Sequence, residues 1–155
     1  MMFGMDSDTL IKLTKTGAKE TVASAAEIVI PPEVERETVT EGKEGGFPDA
    51  FKIERNLERG LLKVLQTPRT EEVEEIIGKL DLKGGEADLV RLFKAVGCDA
   101  VVTDDQKFID LAKELEVPFT TSSGLLVYAW KSGGISREEC LTLLGKLRPM
   151  VGEAE

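Results

Sequence analysis

Ala100-Val101-Val102-Thr103-Asp104-Asp105-Gln106-Lys107-Phe108-Ile109-Asp110-Leu111 is the clearest strand-to-helix passage in the chain. Three apolar residues predict a buried strand, and the Thr-Asp-Asp that follows supplies side-chain oxygens able to cap a helix carrying Phe108, Ile109 and Leu111 at helical spacing. Upstream, Glu86 to Val96 reads as another helix, stopped at Gly97. A helix, a strand and a helix in succession form the repeating unit of an α/β fold.

The same alternation extends in both directions. Met2 to Met5 predicts a strand, and Asp6-Ser7-Asp8-Thr9 caps a helix with Leu10, Ile11 and Leu13. Beyond Thr16-Gly17 and a stretch of small residues, Ile28-Val29-Ile30 predicts a buried strand. Pro31-Pro32 stops it and opens a helix around Val34, with Glu37 about one turn in. Residues 38–49 are polar and contain Gly42, Gly45, Gly46 and Pro48, so they read as an exposed loop. Helices are expected over 50–59 and 71–80, with a short strand over 61–65 between them. Val117-Pro118-Phe119 reads as a strand, 120–123 as a polar turn and 124–130 as an apolar helix ended by Gly133-Gly134; Ser136-Arg137-Glu138-Glu139 is a capping box for the last helix. The whole predicts one domain over 1–150 with a mainly parallel central sheet flanked by helices, and a short polar tail over 151–155.

Composition narrows the chemistry. At 155 residues and 41% hydrophobic content the chain can bury one core. Its 29 acids against 20 bases give a formal charge of −9, which argues against broad adhesion to nucleic acid or anionic membrane while leaving a local basic strip open. There is no histidine, which disfavours Ser-His-Asp hydrolases, Cys-His proteases and histidine-ligated zinc hydrolases. Cys98 and Cys140 have no paired spacing and read as core thiols rather than a disulfide or zinc ribbon. No stretch has the apolar length of a membrane span and no leader is apparent, so the expected location is cytoplasmic. Carboxylate-and-cation chemistry remains.

Carboxylates recur where apolar segments end or helices begin: Asp6, Glu37, Asp88 and Asp105. Taken singly, each is more often a helix cap or a solvated charge. Parallel strands, however, put their carboxyl ends on one edge of the sheet, where ligands gather, so acids far apart in sequence can converge there and hold a hard cation.

Four segments in order carry a resemblance: Met5-Asp6-Ser7-Asp8-Thr9-Leu10-Ile11, Val29-Ile30-Pro31-Pro32-Glu33-Val34-Glu35-Arg36-Glu37, Gly85-Glu86-Ala87-Asp88-Leu89-Val90 and Val102-Thr103-Asp104-Asp105-Gln106-Lys107-Phe108, with Val117 to Leu126 as a last strand and turn. Together they resemble the successive motifs of PIN-domain proteins across nearly the whole chain. The resemblance implies a three-layer α/β fold and a Mg²⁺- or Mn²⁺-dependent nuclease acting on single-stranded RNA, VapC-type toxins with an antitoxin partner being one branch. By motif the catalytic acids are Asp6, Glu37, Asp88 and Asp105. The metal-ligand candidates add Glu86 and Asp104: one of Glu86 and Asp88, and one of Asp104 and Asp105, ligates while the other is an outer partner or cap. Ser7, Thr103, Thr120, Thr121 and Ser122 are candidates for phosphate or water contacts, against the simpler reading as caps. Lys12, Lys15, Arg91 and Lys107 lie near the motifs and read first as solvated surface. Thr121 stands where many relatives have glycine. Leu125 to Trp130 reads first as a packed helix face and second as a homodimer contact.

Two other functions fit the same acids. A magnesium-dependent phosphatase would pass through an aspartyl-phosphate on Asp6. A PIN-like module that binds RNA without useful catalysis is the other.

Overall fold

The computed structural model describes residues 1–151, so the expected tail over 151–155 lies outside the described residues except for Val151, which packs against the core. Strand β1 (Met2–Met5) runs into Asp6, which caps α1 (Ser7–Thr16). Gly17 adopts φ 77°, a left-handed conformation that ends α1 at little steric cost, and α2 (Lys19–Ala25) leads back to β2 (Glu27–Ile30). The small-residue stretch before β2 is therefore helical. Pro32 occupies the first turn of α3 (Pro32–Glu35), where its missing N–H costs nothing.

Residues 38–49 depart most from expectation. α3 continues through a π-helical turn at Arg36–Thr40 into α4 (Glu41–Glu44), and Thr38, Val39 and Gly42 are buried. Gly42 is a packing glycine rather than a loop glycine: a Cβ there would lie 2.8 Å from Ala50 Cβ, so its absence lets the next helix, α5 (Pro48–Glu58), come close. Thr38 turns its hydroxyl inward to Val34 O at 2.7 Å.

β3 (Leu62–Val64), α6 (Glu71–Lys79) and α7 (Gly84–Arg91) follow as expected, and α7 runs into a second π-helical turn, Leu92–Val96. After β4 (Ala100–Val102) and α8 (Gln106–Glu114), the fifth strand, β5 (Phe119–Thr120), begins two residues later than expected. Pro118 has no N–H for the ladder, and only its carbonyl joins β4, accepting from Val101 N at 3.0 Å. Thr121 caps α9 (Ser122–Lys131), so the expected turn at 120–123 is divided between strand and helix. Ser136 caps α10 (Arg137–Leu147), and a 3₁₀ turn covers Arg148–Met150.

Every strand pairing is parallel, in the order β3-β2-β1-β4-β5. Strand periodicity sorts the side chains onto two faces. Phe3, Met5, Ile28, Ile30 and Val102 pack against Leu10 and Leu13 of α1, Ile53 of α5 and Leu125 and Leu126 of α9. Val29 and Val101 pack against Val73 of α6, Leu89 of α7 and Phe108 of α8. Two cores sandwiching one sheet make the three-layer architecture. Each fully buried Val or Leu contributes about 1.5–3 kcal/mol to holding it.

Gly4, in the central strand, faces the second core. A Cβ there would approach Leu92 Cδ2 to 2.9 Å and Cys98 Sγ to 3.4 Å, so α7 and its π turn sit directly on bare backbone. Leu125 and Leu126 lie wholly in the core, whereas Trp130 is 38% exposed. No helix among the described residues is long and apolar enough to cross a membrane.

Candidate active site

Strand order reverses direction around β1 and β4, and a cleft of about 380 Å³ opens near their carboxyl ends. Asp6, Ser7 and Asp8 enter it from the end of β1, Glu37 from the first π turn, Lys83 to Glu86 from the start of α7, and Asp105 from the end of β4, with Leu89 and Phe108 as apolar lining. A larger cavity of about 660 Å³ lies around Met2, Glu27 and Asp99, by the amino ends of the strands, away from these acids.

Asp6 is held at both oxygens. Oδ1 accepts from Thr9 N at 2.9 Å, the N-cap of α1, and Oδ2 accepts from the Thr103 hydroxyl at 2.5 Å. Thr103 Oγ in turn accepts from Asp105 N at 3.1 Å, so a fully buried threonine joins the two aspartates. Burial raises the Asp6 pKa, outweighing the hydrogen bonds from Thr103 and Thr9 that lower it. Asp105 caps α8 through Lys107 N at 3.2 Å.

Glu37 lies across the N-terminus of α7. A Cβ on Gly85 would sit 2.7 Å from Glu37 Oε1, so the carboxylate uses space that only glycine leaves. Its pKa is raised, first by burial and then by the neighbouring charge of Glu33. Glu37 Oε1 and Ser7 Oγ are buried and neither makes a hydrogen bond of good geometry, although the Ser7 hydroxyl is near enough to draw the Glu37 pKa slightly down. An unpaired buried carboxylate oxygen is costly, and a cation or water would relieve it.

The two pairs of acids are placed differently. Glu86 lines the cleft, whereas Asp88 is 8% exposed and turned into a structural network. Its Oδ1 accepts from Arg91 Nη1 at 2.8 Å and Thr67 Oγ1 at 3.2 Å, and its Oδ2 from Glu33 N at 3.2 Å. Arg91 also forks onto Glu74 at 2.9 and 2.7 Å, tying α7 to α6. Asp88 thus fixes the start of α3 against α7 and is not part of the cleft wall. Asp104 likewise is spent: it accepts from Ser122 N at 2.8 Å, Ser122 Oγ at 2.6 Å and Lys12 Nζ at 3.3 Å, fastening the start of α9.

Among the hydroxyl candidates, Ser7 borders the cleft and Thr103 braces its acids. Thr121 bonds Gly124 N at 3.1 Å as the cap of α9, Ser122 serves Asp104, and Thr120 passes its carbonyl to Thr103 N at 3.0 Å. These three stabilise the turn and do not line the cleft. Asp8, Lys83 and Phe108 do line it and were not singled out as site residues. For Lys83 the signal was its place beside Gly84-Gly85, at a helix start.

Among the described residues, no three acidic or cysteine side chains are grouped to hold a metal ion as they stand. The cleft offers the donor chemistry of a hard-cation site, carboxylate and hydroxyl oxygen without sulfur or imidazole, on facing walls rather than as a closed shell.

A parallel three-layer sheet with acids from separate elements around one cleft at its switch point defines an α/β protein with a carboxylate-lined site. The chain belongs to the PIN domain family, which it matches over residues 2–150. PIN domains are generally nucleases and typically use divalent metals. The chain has no match among curated proteins.

Proposed function

We propose that the protein is a Mg²⁺- or Mn²⁺-dependent endoribonuclease that hydrolyses single-stranded RNA. The supporting observation is that Asp6, Glu37, Glu86 and Asp105 share one cleft, with Glu37 Oε1 buried and lacking a hydrogen bond of good geometry. These four carboxylates would hold the ion, Glu86 taking the place first expected for Asp88. A divalent cation held there would neutralise phosphate charge and acidify water.

The chain's own groups supply the rest. Thr103 orients Asp6, and Gly85 leaves room for Glu37 at the positive end of α7. Burial favours the protonated form of Glu37 while the site is empty, and a bound cation would hold the same group as carboxylate. Lys83, at the mouth, offers a cation to the RNA backbone. Leu89 and Phe108 exclude bulk water from one wall.

The test is incubation of the purified protein with end-labelled single-stranded RNA in Mn²⁺, Mg²⁺ or EDTA. Metal-dependent internal cuts, lost in Glu86→Gln, support the proposal; cutting that persists in EDTA overturns it. The open placement of the acids favours one second reading, an RNA-binding module without turnover, for which binding without cleavage in any metal is the signature. A toxin role with an antitoxin partner is a narrower form of the first reading, checked by growth arrest on expression.

A further inference from the structure

The cleft does not stand alone. Glu37 also lines a second hollow of about 300 Å³ with Ile11, Lys15, Phe47, Asp49 and Ala50, and Glu86 lines a third of about 240 Å³ that includes Lys107. Through these shared acids the acidic cleft becomes the middle of three adjoining depressions.

The second hollow is built around an aromatic ring that faces water. Phe47 is 62% exposed, yet its backbone is fixed: its N–H donates to Gly42 O at 2.9 Å, and Pro48 after it holds it in extended conformation at the start of α5. A Cβ on Gly45 would lie 2.6 Å from Phe47 Cε2, so the ring rests against bare backbone. Phe47 stands at the surface next to the acidic cleft and belongs to neither core. The charged lining excludes an anion, since Glu37, Glu41 and Asp49 outnumber Lys15. It suits a neutral planar ring with hydrogen-bond donors on its edge, and the volume suits one such ring rather than a larger ligand.

We infer that this hollow is a nucleobase subsite of the single-stranded substrate, in which a base next to the scissile phosphate leaves the stack of its neighbours and lies on Phe47. The inference rests on the nuclease reading and gives the unpaired substrate a physical reason, because a base held in a duplex cannot turn out to reach the ring without losing its partner.

Steady-state cleavage by the full chain tests it, using a short single-stranded RNA and versions with one abasic ribose at each position in turn. Wild type should lose about tenfold in apparent affinity when the abasic position falls beside the cut, the scale of one base–aromatic stack. Phe47→Ala should raise KM by a similar factor with kcat nearly unchanged and lose that sensitivity, and Phe47→Trp should restore both. The residue is exposed, so folding of the variants is checked simply by their unchanged melting temperature. If Phe47→Ala retains wild-type KM and the same abasic sensitivity, the subsite is wrong and the nuclease reading stands. If wild type neither binds nor cuts the intact RNA, the nuclease reading falls and takes the subsite with it.

Discussion

Thr103 donates its hydroxyl to Asp6 Oδ2 at 2.5 Å, across 97 positions of sequence, and couples the end of β1 to the end of β4. Thr103→Val keeps the shape and removes the donor, leaving an aspartate oxygen and the Asp105 N–H without their partner. The expected loss is about 1–3 kcal/mol by urea denaturation, with cleavage falling more than stability alone accounts for. A variant with wild-type stability and rate would show that the brace is dispensable.

Glu86→Gln and Asp88→Ala should separate chemistry from architecture. Glu86 has a face on the cleft, so its amide variant should fold normally and lose most metal-dependent cleavage. Asp88→Ala leaves Arg91 with Glu74 alone and uncaps α3, at a cost of about 2 kcal/mol once partial solvent access is allowed for. Melting curves run beside cleavage assays read both, and the reverse pattern would return Asp88 to the site.

Millimolar Mg²⁺ or Mn²⁺ should raise the melting temperature, because the ion binds only the folded arrangement and relieves carboxylates that burial disfavours. Asp6→Asn should blunt the rise. The sign with pH follows from the raised pKa values of Asp6 and Glu37. Between the ordinary and the raised value the folded chain holds more protons than the unfolded one, so metal-free stability falls as pH rises through that window. Metal competes with those protons, and its stabilising effect should therefore grow with pH over the same window. Calorimetry at two pH values checks the direction.

Lys19 is 3% exposed, its Nζ has no hydrogen-bond partner, and burial lowers its pKa to about 8. Below pH 8 both folded and unfolded chains carry the ammonium and its full desolvation cost is present. From about pH 8 toward the ordinary 10.5 the folded chain releases its proton first, and that cost is relieved as pH rises. Lys19→Met should stabilise the protein at pH 7 on the order of 1 kcal/mol and remove this rise. Equal urea midpoints at pH 7 for variant and wild type would contradict it.

The strand-to-helix passages were legible because they depend on neighbours in sequence: apolar runs, capping aspartates and prolines at helix starts. What escaped the sequence depends on partners far along the chain. Glu86 and Asp88 are two residues apart on one helix, roughly 200° around its axis, and only the burial of Asp88 against Arg91, Thr67 and the start of α3 shows which faces the cleft. The Arg91 partner at i+3 was a readable hint. Gly42 read as a loop signal because a glycine that admits a neighbouring helix looks the same in sequence as one that makes a turn. Asp104 and Asp105 differ by which helix each serves, and the start of α9 lies far downstream of both.

Gly4 lies on the face of the sheet covered by α7, under Leu89 and Leu92, and α7 carries Glu86 and Gly85 toward Asp6 and Glu37. The gap across the acidic cleft is thus calibrated from behind the sheet by a missing methyl group. Adding one atom there would act as a shim, pressing on Leu92 and through it on Leu89 of the cleft wall.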